Sequence, residues 1–274
     1  MINVWLLSII FVTFLWASVL LISEALRLPS PLFVFFRLVF SMIIVLPCAF
    51  KAGIKKPDMK SLLSGILLSL NWIFLFQAVS MIGPSTADFL YYTAPVISLV
   101  IAAITGSDVP IWSWIAAGIS FVGVTLIYSL TPASPTGIIF ALLAAFFYGS
   151  VVVLGKYTSK HVHPFVFTFY QMISATAVAA IFSMKYFKPL NPFELSLLAV
   201  AGILNTGIAL LLWWKTLQKV NLRVASVLTY LDPAFALLLS TSFLGYKPTM
   251  WNIFGGSLII AGGVLAVWKE MGKR

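Results

Sequence analysis

Apolar residues fill this chain in ten long blocks, near 2–22, 32–50, 61–80, 85–104, 110–129, 135–155, 164–184, 194–214, 223–243 and 249–268. Each block has roughly the 17–25 residues that cross a bilayer as a helix. Turn chemistry or charge separates them, as at Leu28-Pro29-Ser30-Pro31, Gly83-Pro84-Ser85, Gly106-Ser107-Asp108 and Gly245-Tyr246-Lys247-Pro248. No block alternates as a barrel strand does, so helices are the expected way to satisfy the backbone in lipid. The pattern predicts an all-α integral membrane protein with ten transmembrane helices. The first block lacks a basic leader and a small-residue cleavage site, so it is expected to remain as a span.

Composition agrees. Hydrophobic residues make up 61% of the chain and charged residues 9%, against about 25% charged in soluble domains. The net charge of +10 is spread between the blocks and forms no stripe, so no nucleic-acid partner is expected; membrane lipid is the expected surrounding. With ten spans both termini share a side. That side receives twelve basic residues, among them Lys51, Lys55, Lys56, Lys60, Lys156, Lys160, Lys215, Lys219 and Arg223, and the other only Arg27, Arg37, Lys185, Lys188 and Lys247. Basic loops stay inside, so both termini are expected in the cytoplasm. Cys48 is the single cysteine, which excludes an internal disulfide framework.

The chain also repeats itself. A shift of 138 residues lays Phe76–Tyr128 on Trp214–Ala266 without a gap. Ala87, Leu90, Tyr92, Pro95, Leu99, Pro110, Ile115 and Gly118 then fall on Ala225, Leu228, Tyr230, Pro233, Leu237, Pro248, Ile253 and Gly256. Near the starts of the halves, Trp16-Ala17-Ser18 resembles Tyr148-Gly149-Ser150. Five spans per half is an odd number, so the second half enters the membrane inverted, a transporter signature. The expected domains are 1–130 and 131–274, two inverted five-helix repeats.

Candidate chemistry gathers on the fourth and ninth blocks. Asp88, Tyr91, Tyr92 and Pro95 share one helix face, and Ser226, Thr229, Tyr230 and Pro233 form its counterpart, with Asp232 beside Thr229. Neither proline donates a backbone hydrogen bond, which leaves the carbonyls of Tyr91 and Thr229 without their usual partners. An ionisable residue at membrane depth is costly and is a functional site by default. Asp232 reads as a proton site, as a holder of a cation or substrate amino group, or as a structural hydrogen-bonding group. Asp88 is nearer its span's end and reads as a cap or coupling residue. Trp16, Tyr92, Tyr148 and Tyr230 lie deep and need polar company, and Tyr91 shares their register. Trp213 and Trp214 are expected in an interfacial belt, and Arg37 is expected to snorkel. Asn71, Gln77, Gln171 and Asn205 are expected to make interhelical hydrogen bonds, with Asn71, Gln77 and Asn205 as second-tier polar site residues.

Enzymatic motifs are missing. Gly149 to Lys156 has the wrong spacing for a phosphate loop, there is no serine elbow, and His161 and His163 have no nearby ligating partners in the sequence. No catalytic residue, metal or cofactor is expected.

These segments carry a family likeness. Phe14-Leu15-Trp16-Ala17-Ser18, Arg37 within Phe35-Phe36-Arg37-Leu38, Ala225 to Phe235, and Gly255-Gly256-Ser257 through Gly262-Gly263 resemble the drug/metabolite transporter superfamily, specifically its EamA-type members. Two positions depart from that pattern: Asp232 stands where glutamate is common, and Gly245-Tyr246 stands where Gly-Glu is frequent. The resemblance implies an inner-membrane carrier for small metabolites, often an exporter of amino acids or similar compounds. Its central cavity would be bordered by the first, third, fourth, sixth, eighth and ninth spans.

The expected function is a secondary transporter or facilitator, working by alternating access and moving amino-acid-like or aromatic, amphiphilic solutes outward. Trp16, Tyr91, Tyr92, Tyr148, Tyr230 and Asp232 are the expected substrate contacts. The competing reading is a membrane-embedded enzyme or lipid-handling protein, which would act without solute flux. A structural subunit is a third reading, and it predicts a stable partner.

Overall fold

The computed structural model describes residues 4–54, 56–127, 134–243, 245 and 247–271. Tyr246 and the boundary expected at 130/131 lie outside the described residues, and the side chain of Glu24 is not described. Among the described residues, twelve α-helices occur in chain order: α1 (Val4–Leu26), α2 (Ser30–Lys51), α3 (Met59–Tyr91), α4 (Ala94–Ile104), α5 (Ile111–Ile127), α6 (Pro135–Thr158), α7 (Pro164–Ser183), α8 (Pro192–Gly202), α9 (Ala209–Leu217), α10 (Leu222–Leu228), α11 (Leu231–Phe243) and α12 (Met250–Met271). A π-helical turn, Ile203–Ile208, joins α8 to α9. Among the described residues nine helical stretches are long and apolar enough to cross a membrane, and α5 is a shorter apolar one. The described parts of all ten expected blocks are therefore mainly helical, in a multi-pass membrane protein.

Local chemistry sets the helix ends. Proline occupies the first turn of α2, α4, α7 and α8, where its missing N–H costs nothing. Asn191 and Glu194 close a reciprocal capping box on α8. His163 caps α7, its Nδ1 accepting the Phe165 amide at 3.3 Å. Gly83 interrupts α3 with φ 76° and ψ 157°, a conformation that L side chains rarely adopt. It separates the stretch Met59–Gly83 from Thr86–Ile104.

Two further interruptions fall inside spans. Tyr92 and Thr93 form a turn between α3 and α4, and Thr229 and Tyr230 form one between α10 and α11. Each is followed by a first-turn proline, Pro95 or Pro233. Proline lacks the amide that would carry the helix through, and its ring obstructs the preceding turn. The Thr229 carbonyl does not stay open as expected: it accepts the Asp232 amide at 3.1 Å.

The chain forms two compact units. One comprises Met1–Ile73 and Leu154–Lys219, the other Phe74–Val153 and Val220–Arg274. In the first unit α2 packs on α7, α8 and the π turn, and α1 packs on α9. Close approach depends on small residues, as is usual between membrane helices. A Cβ on Gly65 would lie 2.0 Å from the Gln171 carbonyl, and one on Gly202 would lie 2.8 Å from that of Arg37. In the second unit α5 and α12 run together. Gly123 and Gly255 meet reciprocally there: a Cβ on either would stand 2.5 Å from the other's carbonyl oxygen.

Candidate functional site

The second unit brings the fourth- and ninth-block residues together. The Tyr92 hydroxyl donates a hydrogen bond to the Asp232 carboxylate, and Asp88 lies within electrostatic reach of the same carboxylate. Tyr148, on α6, is within reach of both Tyr91 and Asp232. Its ring centroid is 5.6 Å from that of Tyr91, which is 5.9 Å from Tyr92. Three tyrosines and two carboxylates thus form one cluster. Asp88 and Tyr92 are buried, whereas Tyr91, Tyr148 and Asp232 remain partly accessible. Those three are the members of the cluster that keep some exposed surface.

The broken helices make this arrangement possible. Interruption at Tyr92–Thr93 and at Thr229–Tyr230 places helix ends inside the spans, where an intact helix would present only side chains. Asp232 sits in the first turn of α11, where the positive end of the helix dipole favours a carboxylate. Asp88 sits in the last turn of α3, which offers it no such support. The two interruptions are tied together by Ser98 on α4, which donates to Ser226 Oγ on α10 at 2.8 Å. Tyr148 reaches Tyr91 because its neighbour is glycine. A Cβ on Gly149 would stand 3.0 Å from Ile97 Cγ2 and 3.2 Å from the Ala94 carbonyl, so α6 lies directly against the first turn of α4.

Tyr230 is placed differently from the cavity wall expected of it. It is fully enclosed with Leu99, Ala116, Val124, Val227 and Ile259, and its hydroxyl has no hydrogen-bond partner among the described residues. Its counterpart Tyr92 belongs to the same packed core. Gln77 also belongs to this unit and is partly buried.

Trp16, Asn71 and Asn205 belong to the first unit. Trp16 packs against Trp213 with ring centroids 5.2 Å apart. Asn205 lies in the π turn, where the added residue swings its amide toward α1. Its Nδ2 donates to the Leu15 carbonyl and to Ser18 Oγ at 2.6 Å, while its Oδ1 is buried without a partner among the described residues. π turns are frequent at functional positions. Asn71 is fully buried.

Two expectations for this unit are overturned. Trp213 and Trp214 form no interfacial belt; they are 1% and 0% exposed. Trp214 Nε1 donates to Gln171 Oε1 at 2.8 Å, and Gln171 Nε2 donates to Ser64 Oγ at 2.8 Å, so a polar chain crosses α9, α7 and α3. Depth along the sequence suggested the belt, but the face each ring presents is set by helix packing. Arg37 does not snorkel. Its Nε donates to Thr206 Oγ1 at 3.2 Å, and its guanidinium lies 4.4 Å from the Trp72 ring centroid. A charge held over an aromatic face and hydrogen-bonded to a hydroxyl keeps its stabilisation inside the protein.

Interrupted membrane helices that carry carboxylates and tyrosines at the break are the make-up of a solute transporter. The chain belongs to the EamA-like transporter family, whose model matches residues 3–129 and again 135–268. A Bacillus subtilis (strain 168) protein named "Uncharacterized transporter YxxF" is 29% identical, over 94% of this chain and 88% of that one. A Rickettsia felis (strain ATCC VR-1525 / URRWXCal2) protein named "S-adenosylmethionine uptake transporter" is 24% identical, over 89% and 85%. A solved structure titled "Crystal structure of protein" has the same fold, with TM-score 0.83 over 95% of both chains at 19% identity.

Proposed function

We propose that this protein is a secondary transporter or facilitator of the cytoplasmic membrane that carries small amphiphilic solutes bearing an amino or other cationic group. The observation that carries this reading is the Asp232 carboxylate, partly accessible at a helix break and ringed by Tyr91, Tyr92 and Tyr148. A carboxylate neutralises a cation, and the faces of tyrosine rings attract one. Amino-acid-like and aromatic solutes offer both a charged and an apolar end. The name of the Rickettsia relatives supports the same chemistry, because S-adenosylmethionine joins a cationic centre to an amino-acid group and an aromatic base. Tyr91, Tyr92, Tyr148 and Asp232 are the proposed contacts, Asp88 a coupling residue, and Trp16, Asn71, Gln77 and Asn205 outlying polar or aromatic members. Tyr230 is proposed to hold the break from behind rather than to touch solute.

Alternating access between two inverted repeats, 1–130 and 131–274, is the proposed mechanism. The helix breaks support it, since Tyr92–Thr93 and Thr229–Tyr230 correspond within one residue under the 138-residue shift. The two consecutive matches to one family model support it as well. The excess of basic residues in alternate loops supports cytoplasmic termini; the proposed direction is outward, whereas the Rickettsia relatives are named for uptake.

Counterflow in proteoliposomes tests the reading, with labelled S-adenosylmethionine and labelled aromatic amino acids as probes. Protein-dependent exchange that Asp232→Asn abolishes is expected. Exchange unaffected by that substitution would overturn the site, and conversion of the probe to a new compound would overturn the transporter reading itself.

A further inference from the structure

Asn205 stands in the π turn between α8 and α9 of the first unit and is 2% exposed. The turn around it is held firmly. Thr206 Oγ1 accepts from Arg37 Nε at 3.2 Å and donates to the Ala201 carbonyl, five residues back, at 2.8 Å. Gly207 lies close against α2, where an added Cβ would stand 3.1 Å from the Ser41 carbonyl. Arg37 and Ser41 both belong to α2, so one helix fixes the turn in place.

The contacts of Asn205 leave its amide a single orientation. Ser18 Oγ spends its hydrogen on the Leu15 carbonyl at 2.8 Å. Toward Asn205 both oxygens can then only accept, and Nδ2 supplies its two hydrogens, one to each. Turned over, the amide would set Oδ1 against a carbonyl oxygen with no hydrogen between them. Oδ1 is therefore committed to the opposite direction, where it is buried and no described residue donates to it. An amide oxygen withdrawn from water without a donor is costly. Held on a fixed turn, it is an acceptor prepared in advance for a ligand.

α1 supplies an apolar surface beside it. Trp16 leaves the same turn of α1, between Leu15 and Ser18, and its ring lies against Trp213 on α9. Leu15, Trp16 and Ser18 keep partial exposure while Trp213 has almost none. The accessible side of this group is thus the α1 turn with its indole. A neutral amide oxygen suits a neutral N–H or O–H; a full ammonium is matched better by a carboxylate such as Asp232.

We propose that Asn205 is a specificity-determining residue whose Oδ1 accepts a hydrogen bond from an uncharged N–H or O–H on the aromatic ring of a solute, with Trp16 as the apolar contact. The inference rests on the reading that this chain carries aromatic solutes, and it narrows them to phenols, indoles and similar rings that bear a donor. A ring without a donor leaves Oδ1 unpaired, and a site built around a hydrogen bond rejects such an analogue.

The test is equilibrium binding to the full-length protein in detergent, measured by isothermal titration calorimetry. The probes are tyrosine against phenylalanine, and tryptophan against its indole-N-methyl derivative. The donor-bearing member of each pair is expected to bind about three- to tenfold more tightly, the range of one neutral hydrogen bond. Asn205→Ala should remove that preference and leave both members at the weaker affinity, whereas a purely structural role would weaken both alike and keep the ratio. Equal affinities within both pairs on the unaltered protein would overturn the inference. So would a ratio preserved in Asn205→Ala, or no saturable binding of any of these amino acids. Should Asn205→Ala fail to fold, Asn205→Ser, whose short side chain cannot bring an oxygen to the same place, is read by the same ratio. Counterflow of S-adenosylmethionine answers separately for the transporter reading: exchange that persists alongside equal affinities removes the role of Asn205 alone.

Discussion

The Tyr92 hydroxyl donates its hydrogen bond to the Asp232 carboxylate, so a turn residue of one broken helix holds the first-turn acid of another. Tyr92 stands three residues before Pro95, and Asp232 directly precedes Pro233. Hydrogen bonds to a charged group contribute about 1.5–3 kcal/mol. Tyr92→Phe should therefore weaken solute exchange about tenfold or more in the counterflow assay, while Asp232→Glu, which restores the family's common residue, retains measurable exchange. Full exchange by Tyr92→Phe would separate that hydroxyl from the site.

Tyr230 gives the opposite expectation. Its hydroxyl is enclosed without a partner among the described residues, a state that costs about 1–3 kcal/mol. Tyr230→Phe is expected to raise the unfolding temperature in detergent and to leave exchange unchanged. Lost exchange in a well-folded Tyr230→Phe protein would return this hydroxyl to the solute's surface.

Gly149 sets the position of Tyr148. An added Cβ would press on Ile97 at 3.0 Å and on the Ala94 carbonyl at 3.2 Å. Gly149→Ala should cost about 1–3 kcal/mol of stability, as overpacking does, and should lower exchange by displacing Tyr148 from Tyr91. Gly118→Ala is the comparison, because a Cβ there meets nothing within 4 Å; its stability and exchange should stay near those of the unaltered protein.

The Trp214–Gln171–Ser64 chain is a test of buried polar packing. Gln171→Leu strands both the indole N–H and a hydroxyl, and Trp214→Phe strands the amide oxygen. Each is expected to destabilise by about 1–3 kcal/mol, with the double variant costing less than the sum because the shared bond is lost once. Additive losses in a thermal double-mutant cycle would show that the three groups do not act as a unit.

Much of this molecule was legible before any coordinates. The ten apolar blocks and the punctuation between them determined the helices, because lipid leaves the backbone no other solution and proline and glycine mark where a helix stops. The prolines of the paired Tyr-x-x-Pro segments at Tyr92 and Tyr230 mark a local loss of backbone bonding, but each block reads in sequence as one unbroken span, and only the structure shows the turns. Only the tertiary structure decided which way the side chains face. Tyr92 and its counterpart Tyr230 pack in one core, but the Tyr92 hydroxyl meets Asp232 and that of Tyr230 meets no partner among the described residues; Trp213 and Trp214 leave the interface for the interior; Arg37 finds Thr206 in a π turn. Hydropathy records how deep a residue sits along a span. Its facing depends on close approaches such as Gly149 on Ala94, and those are properties of packed pairs of helices rather than of either segment alone.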